Sequence, residues 1–244
     1  MKAQYKFVVM ISVLLLLALG FLNSVHTVSA AGGAKVTGTA KLDGTAPKQK
    51  QIDMSKEPSC AQIHANSPVT TEAVVVGPNN ALKNVVIYVS EGLDAAAASQ
   101  VPSQPNTITQ KGCQYQPHVI ALDVNQKLQV VNGDATSHNI HPLPKINHEW
   151  NKSQPPGAPP FTEAFSSEEV PIPVKCNVHP WMRGYFVVVK GPYAVSDDNG
   201  SYTLDVPPGN YTLTAWQETY GTQTQKVTVA AGKPATADFT FKAK

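Results

Sequence analysis

The sequence predicts an all-β fold built as two sandwiches. Short apolar or alternating runs rich in Val, Tyr, Thr and Ile recur along the chain, and turn residues bound most of them. Twenty prolines, many within 142–173, favour extended surface connections over helical packing. The one helix-like stretch, 92–100 with four consecutive alanines, is short and lacks an evident cap, so it predicts a surface turn or short helix.

The elements follow in order. Lys2 and Lys6 precede an apolar run at 7–22 and the small residues Val28-Ser29-Ala30, the pattern of an export signal over 1–30 with cleavage before Ala31. The run is shorter than the ~20 residues of a membrane-spanning helix, so no stable membrane insertion is expected after cleavage. The expected location is a periplasm or the extracellular space. Without Lys2 and Lys6 the basic residues number 17 against 17 acidic ones. Such a balance offers nothing to nucleic acid, and a basic amphipathic helix for membrane surfaces is also missing. Protein partners met transiently by a monomer, or small solutes, are the expectation.

Strand-like runs lie at 35–42, 85–89, 118–124, 128–131 and 185–189. Lys190-Gly191-Pro192 then marks a boundary, and further runs lie at 202–206, 211–216 and 226–229. Here Asp198-Asn199-Gly200 and Pro207-Pro208-Gly209-Asn210 punctuate strands at hairpin spacing. The expected organisation is a domain over 31–190 and a small β-sandwich over 191–244. The strand at 35–42, followed by Asp43-Gly44-Thr45-Ala46-Pro47, is a candidate to complete that second sandwich.

Three cysteines in an exported chain leave one unpaired. If Cys60 and Cys113 form a disulfide, Cys176 is the free thiol, and a metal bond is an economical way to protect it from oxidation. The alternative is a second metal site made by Cys113 and His118.

Cys176-Asn177-Val178-His179-Pro180-Trp181-Met182 places a thiolate, an imidazole and a thioether on one short loop before a strand. A second histidine from another loop would complete a trigonal His2Cys set with a long axial thioether, the geometry of a blue-copper electron-transfer site. His138 and His141 both follow the strand at 128–131 and compete for that position. His64 and His148 have no comparable setting.

Together these residues resemble the cupredoxin family, plastocyanin- and amicyanin-like blue copper proteins, with a ligand loop especially similar to the amicyanin type. The family's N-x-x-x-x-x-H-N segment matches 132–139, and its ligands match His138, Cys176, His179 and Met182. The resemblance implies a Greek-key β-sandwich and one Cu(I)/Cu(II) ion. It also implies an asparagine, Asn132, tying the two ligand loops together, and electron exchange through an exposed edge of His179 framed by Pro180 and Trp181. Val178 stands where amicyanin-like loops usually have proline, and its amide is free to bond the thiolate. Residues 110–118 with Cys60 resemble a bacterial subgroup of exported cupredoxin-like proteins. The C-terminal stretch resembles the carboxypeptidase regulatory-like, transthyretin-like sandwich.

The expected function is single-electron transfer. The alternatives are a non-redox copper carrier or store, and a carbohydrate- or surface-binding module using Tyr202, Tyr211, Trp216 and Tyr220, although their alternation favours core packing. An enzyme is not expected, because no second copper ligand set, nucleophile triad, phosphate loop or paired carboxylate motif is visible.

Overall fold

A computed structural model describes residues 34–243; the expected export signal lies outside the described residues. The chain is all-β. Among the described residues no helix is long and apolar enough to cross a membrane.

One sandwich is formed in the middle of the chain. Its first sheet has the order β5 (Val119–Asp123), β11 (Arg183–Val189), β10 (Glu169–Lys175), β7 (His138–Pro142) and β8 (Lys152–Gln154). Its second runs β4 (Gln114–Gln116), β3 (Asn106–Lys111), β6 (Leu128–Asn132) and β9 (Phe161–Glu163). Ile108, Leu128 and Val130 from one sheet meet Ile120, Leu122, Ile140, Ile172 and Phe186 from the other in a single apolar core.

A second sandwich collects distant segments. One sheet has the order β12 (Tyr193–Val195), β2 (Val86–Glu91), β14 (Gly209–Gln217) and β15 (Gly221–Val229). The other has β13 (Ser201–Val206), β1 (Ala34–Asp43) and β16 (Ala235–Thr236), with β17 (Phe239–Lys242) paired further along β1. The alternation in β13 is simple: Tyr202, Leu204 and Val206 are buried while Ser201, Thr203 and Asp205 face water. β1 thus hydrogen-bonds to the strands after residue 200. β2 differs from expectation. Read as part of the 31–190 domain, it pairs instead with β12 and β14, because Ile87 and Val89 supply apolar faces to the second core.

A third apolar layer joins the two sandwiches. In β5, Ile120 and Leu122 point into the first core, whereas Val119 and Ala121 meet Val86 and Trp216 of the second sandwich. β11 divides in the same way, with Phe186 and Val188 on one side and Val187 and Val189 on the other. Burial of both faces explains why these strands read as continuous apolar runs rather than alternating ones. Beside this seam His118 is paired with Glu218, both side chains being about nine-tenths buried. Of the four aromatic residues considered for sugar stacking, Tyr220 is half-buried against Phe241 and the other three are committed to the fold. Tyr202, Tyr211 and Trp216 are buried, and the two tyrosine hydroxyls donate to the carbonyls of Ala237 and Pro207.

Among the described residues there are also two short α-helices. α2 (Ala95–Ala98) does have a cap, since the Asp94 carboxylate accepts from the Ala97 amide at 2.7 Å. α1 (Pro58–Ile63) was not foreseen; it carries Cys60 on its buried side.

Candidate metal centre

The loop 176–182 spans the turn between β10 and β11. It is closed on itself, since the Cys176 amide donates to the Met182 carbonyl and the Met182 amide to the His179 carbonyl, both at 3.0 Å. His138 opens β7, and β7 pairs with β10 through His141 opposite Lys175, which sets the upstream histidine beside the loop.

His138, Cys176 and His179 converge, with their donor atoms within 4.8 Å of one another and all three residues buried. The Nδ1 atoms of the two histidines approach to 3.0 Å, and Cys176 Sγ lies 3.7 Å from His179 Nδ1. Both imidazoles therefore turn Nδ1 inward and Nε2 outward. The Met182 side chain is buried in the same apolar core as Cys176.

The electrostatics prepare these groups as donors. Burial alone would push the Cys176 thiol up, but a hydrogen bond with His138 and the backbone amides of His179, Val178 and Asn139 outweigh it and favour the thiolate. The His179 amide to sulfur distance is 3.4 Å. Burial and the neighbouring His138 hold His179 below its ordinary value, which favours its neutral form. His138 would be lowered by burial too, yet its bonds to Cys176 and Asp134 raise it.

Two expected roles change. Asn132 does not tie the ligand loops together: its amide group donates to the carbonyls of Thr136 and Gln154 and its oxygen accepts from Asp134, so it shapes its own loop and anchors that loop to β8. The tie is Asn139, whose Oδ1 accepts the Asn177 amide at 2.9 Å. The expected exposed edge of His179 is also absent, since this residue is 1% exposed. Helix α1 covers it, with Cys60 Sγ 3.9 Å from His179 Nε2. Trp181 packs against the ring with a centroid separation of 5.3 Å.

Cys60 and Cys113 form a disulfide, leaving Cys176 free. That removes Cys113 as a partner for His118, which is paired with Glu218 instead. His141 sits outside the cluster, bonded through Nε2 to Glu149 at 2.6 Å and through Nδ1 to Asn177 at 3.2 Å. His64 contacts the Gly112 carbonyl at 2.8 Å, and His148 is exposed. Among the described residues a second donor group combines Cys113, Asp134 and His138, but its sulfur is held in the disulfide.

Sequence reasoning missed Asp134. Its carboxylate accepts from His138 Nε2 at 2.7 Å and from the amides of Gly112 and Cys113 at 2.8 Å each. A carboxylate four residues before a candidate ligand histidine was the available signal. Asn139, next to that histidine, was equally visible but without a cue to its partner.

Compared with solved structures, parts of the chain are similar to a purple cupredoxin from Nitrosopumilus maritimus, at 20% identity and a TM-score of 0.29 over 34% of this chain and 98% of that one. Amicyanin from Paracoccus versutus is similar at 20% identity and a TM-score of 0.32, over 42% and 96% of the two chains. A copper-containing nitrite reductase from Thermus scotoductus gives 19% identity and a TM-score of 0.32, over 40% of this chain and 27% of its own. No curated protein matches the chain in sequence. The family model of the carboxypeptidase regulatory-like domain matches residues 184–242, a span that opens in β11 and runs through the C-terminal strands of the second sandwich.

Proposed function

We propose that the chain is an exported blue-copper protein that carries single electrons between redox partners; His138, Cys176, His179 and Met182 are the residues that would hold one copper ion. The observation that carries this reading is the convergence of two imidazole Nδ1 atoms on a buried cysteine whose surroundings favour the thiolate. One thiolate, two imidazoles and a thioether are soft and borderline donors, which fit copper better than hard cations.

Copper bound there would supply a one-electron Cu(I)/Cu(II) couple. The chain's contribution is rigidity, because any ligand movement between oxidation states adds to the barrier for electron transfer. Three donors lie on one loop closed by its own backbone bonds, and Asn139 fixes that loop to the strand bearing the fourth. The Val178 and His179 amides spread the charge on sulfur. No catalytic role is part of this reading, and the partners are transient protein encounters outside the cytoplasm.

The test is a Cu(II) titration of the chain from Ala31 onward, followed by visible absorption, beside Cys176→Ser. An intense thiolate-to-copper band saturating at one copper per chain, and missing in the variant, is the expected result. Its absence in protein with a titratable free Cys176 thiol would overturn the reading.

A further inference from the structure

The two-residue turn between β3 and β4 touches several of the groups packed against the two candidate ligand histidines. Lys111 and Gln114 are the last opposed pair of this hairpin, so Gly112 and Cys113 form the turn alone. Both adopt positive φ, 63° and 55°, the conformation that a tight two-residue hairpin turn demands. Glycine takes it freely, but a cysteine there is strained and must be held by its surroundings.

What this turn holds is specific. Its two successive amides point the same way and donate to the two oxygens of Asp134, whose Oδ2 also receives His138 Nε2–H. The Asp134 and His138 side chains are 6% and 0% exposed. Cys113 then reaches through its disulfide to Cys60, whose sulfur lies against His179 Nε2. The Cys113 carbonyl accepts the Trp181 indole N–H at 3.0 Å, which fixes the ring lying on His179. Finally the Gly112 carbonyl meets His64, which follows α1.

We propose that the Gly112-Cys113 turn, acting through Asp134 and the Cys60–Cys113 disulfide, is an outer clamp that fixes the orientation of both ligand imidazoles. Asp134 and the disulfide are accordingly positioning residues. The argument for His138 is that an Nε2–H given to a carboxylate leaves Nδ1, turned toward Cys176, as the nitrogen a metal would take in exchange for its proton, and holds the ring at one angle. For His179 the work is steric: a disulfide and an indole leave the ring one place to sit. The clamp rests on the copper reading for its purpose, but its geometry is testable without metal.

The test uses the full mature chain and two measurements. In metal-free protein, nitrogen NMR of the histidine rings should show a slowly exchanging Nε2–H signal for His138, lost in Asp134→Ala. In loaded protein, competition with a chromophoric Cu(I) chelator should show affinity reduced about 10–100-fold by Asp134→Ala, the range known for groups behind metal-ligating histidines. Asp134→Asn, which keeps one acceptor oxygen, should fall between and serves if the alanine variant folds poorly. Cys60→Ala/Cys113→Ala should also weaken Cu(I) binding, with the His138 signal retained. A rapidly exchanging His138 Nε2–H in the parent protein overturns the clamp. So does Cu(I) affinity unchanged in both Asp134→Ala and the double cysteine variant. Failure of the parent to bind copper would instead remove the function proposed above, and the metal-free signal would still decide whether Asp134 holds His138.

Discussion

Removing the Cys60–Cys113 disulfide has a stability cost that follows from where it sits. The two cysteines are separated by 53 residues, and both are wholly buried in the first sandwich. In the chain-entropy treatment, closing a loop of that length removes about 14 cal/mol/K from the unfolded ensemble, which is about 4 kcal/mol at 25 °C. For a chain of this size each kcal/mol moves the melting temperature by roughly 2–4 °C, so Cys60→Ala/Cys113→Ala should melt roughly 8–16 °C below the parent. The assay is thermal unfolding of metal-free protein by circular dichroism, with parent protein in a strong reductant as a second route to the same state. Both should fall by similar amounts. A variant melting within about 2 °C of the parent would refute the reasoning. It would mean that the unfolded chain is already compact across this loop.

Other expectations follow from the same geometry. His118 is held above its ordinary value of 6.5, because Glu218 at its Nε2, with Glu72 beyond, outweighs the opposing effect of burial. Its contribution to stability is therefore full below about pH 6.5 and is lost as pH rises through the higher folded value. Melting temperature measured from pH 5 to 9 should decline over that window, and Glu218→Gln should flatten the decline; an unchanged slope would show that other groups cause it. Trp216, at the seam and 5.4 Å from the Tyr185 ring, should cost about 3–5 kcal/mol when replaced by alanine, read from denaturant unfolding. Asn139→Ala deprives the Asn177 amide of its partner and should cost about 0.5–1.5 kcal/mol. It should also shift the reduction potential of the loaded protein more than Asn132→Ala does, and equal shifts would contradict the assignment of the loop tie to Asn139.

What the sequence determined by itself was local. Cys176, His179 and Met182 lie within seven residues, so their joint presentation on one loop follows from covalent spacing once strands flank that loop. Alternation announced β13, and the odd cysteine count was consistent with one bridge and one free thiol. Tertiary structure decided everything that depends on which surface meets which. Apolar periodicity says that a face of β2 is buried but not against what, and the answer is a pair of strands more than a hundred residues away. The exposure of His179 was misjudged for the same reason: nothing in the loop itself records that α1, stapled to a distant turn, would lie over the ring. Asn132 and Asn139 have the same side chain, and only the pairing of β7 with β10 gives one of them the second ligand loop as a neighbour. Residue type and spacing fix the chemistry a side chain offers, whereas its partner is fixed by long-range packing, in which no single local interaction carries enough free energy to reveal the choice.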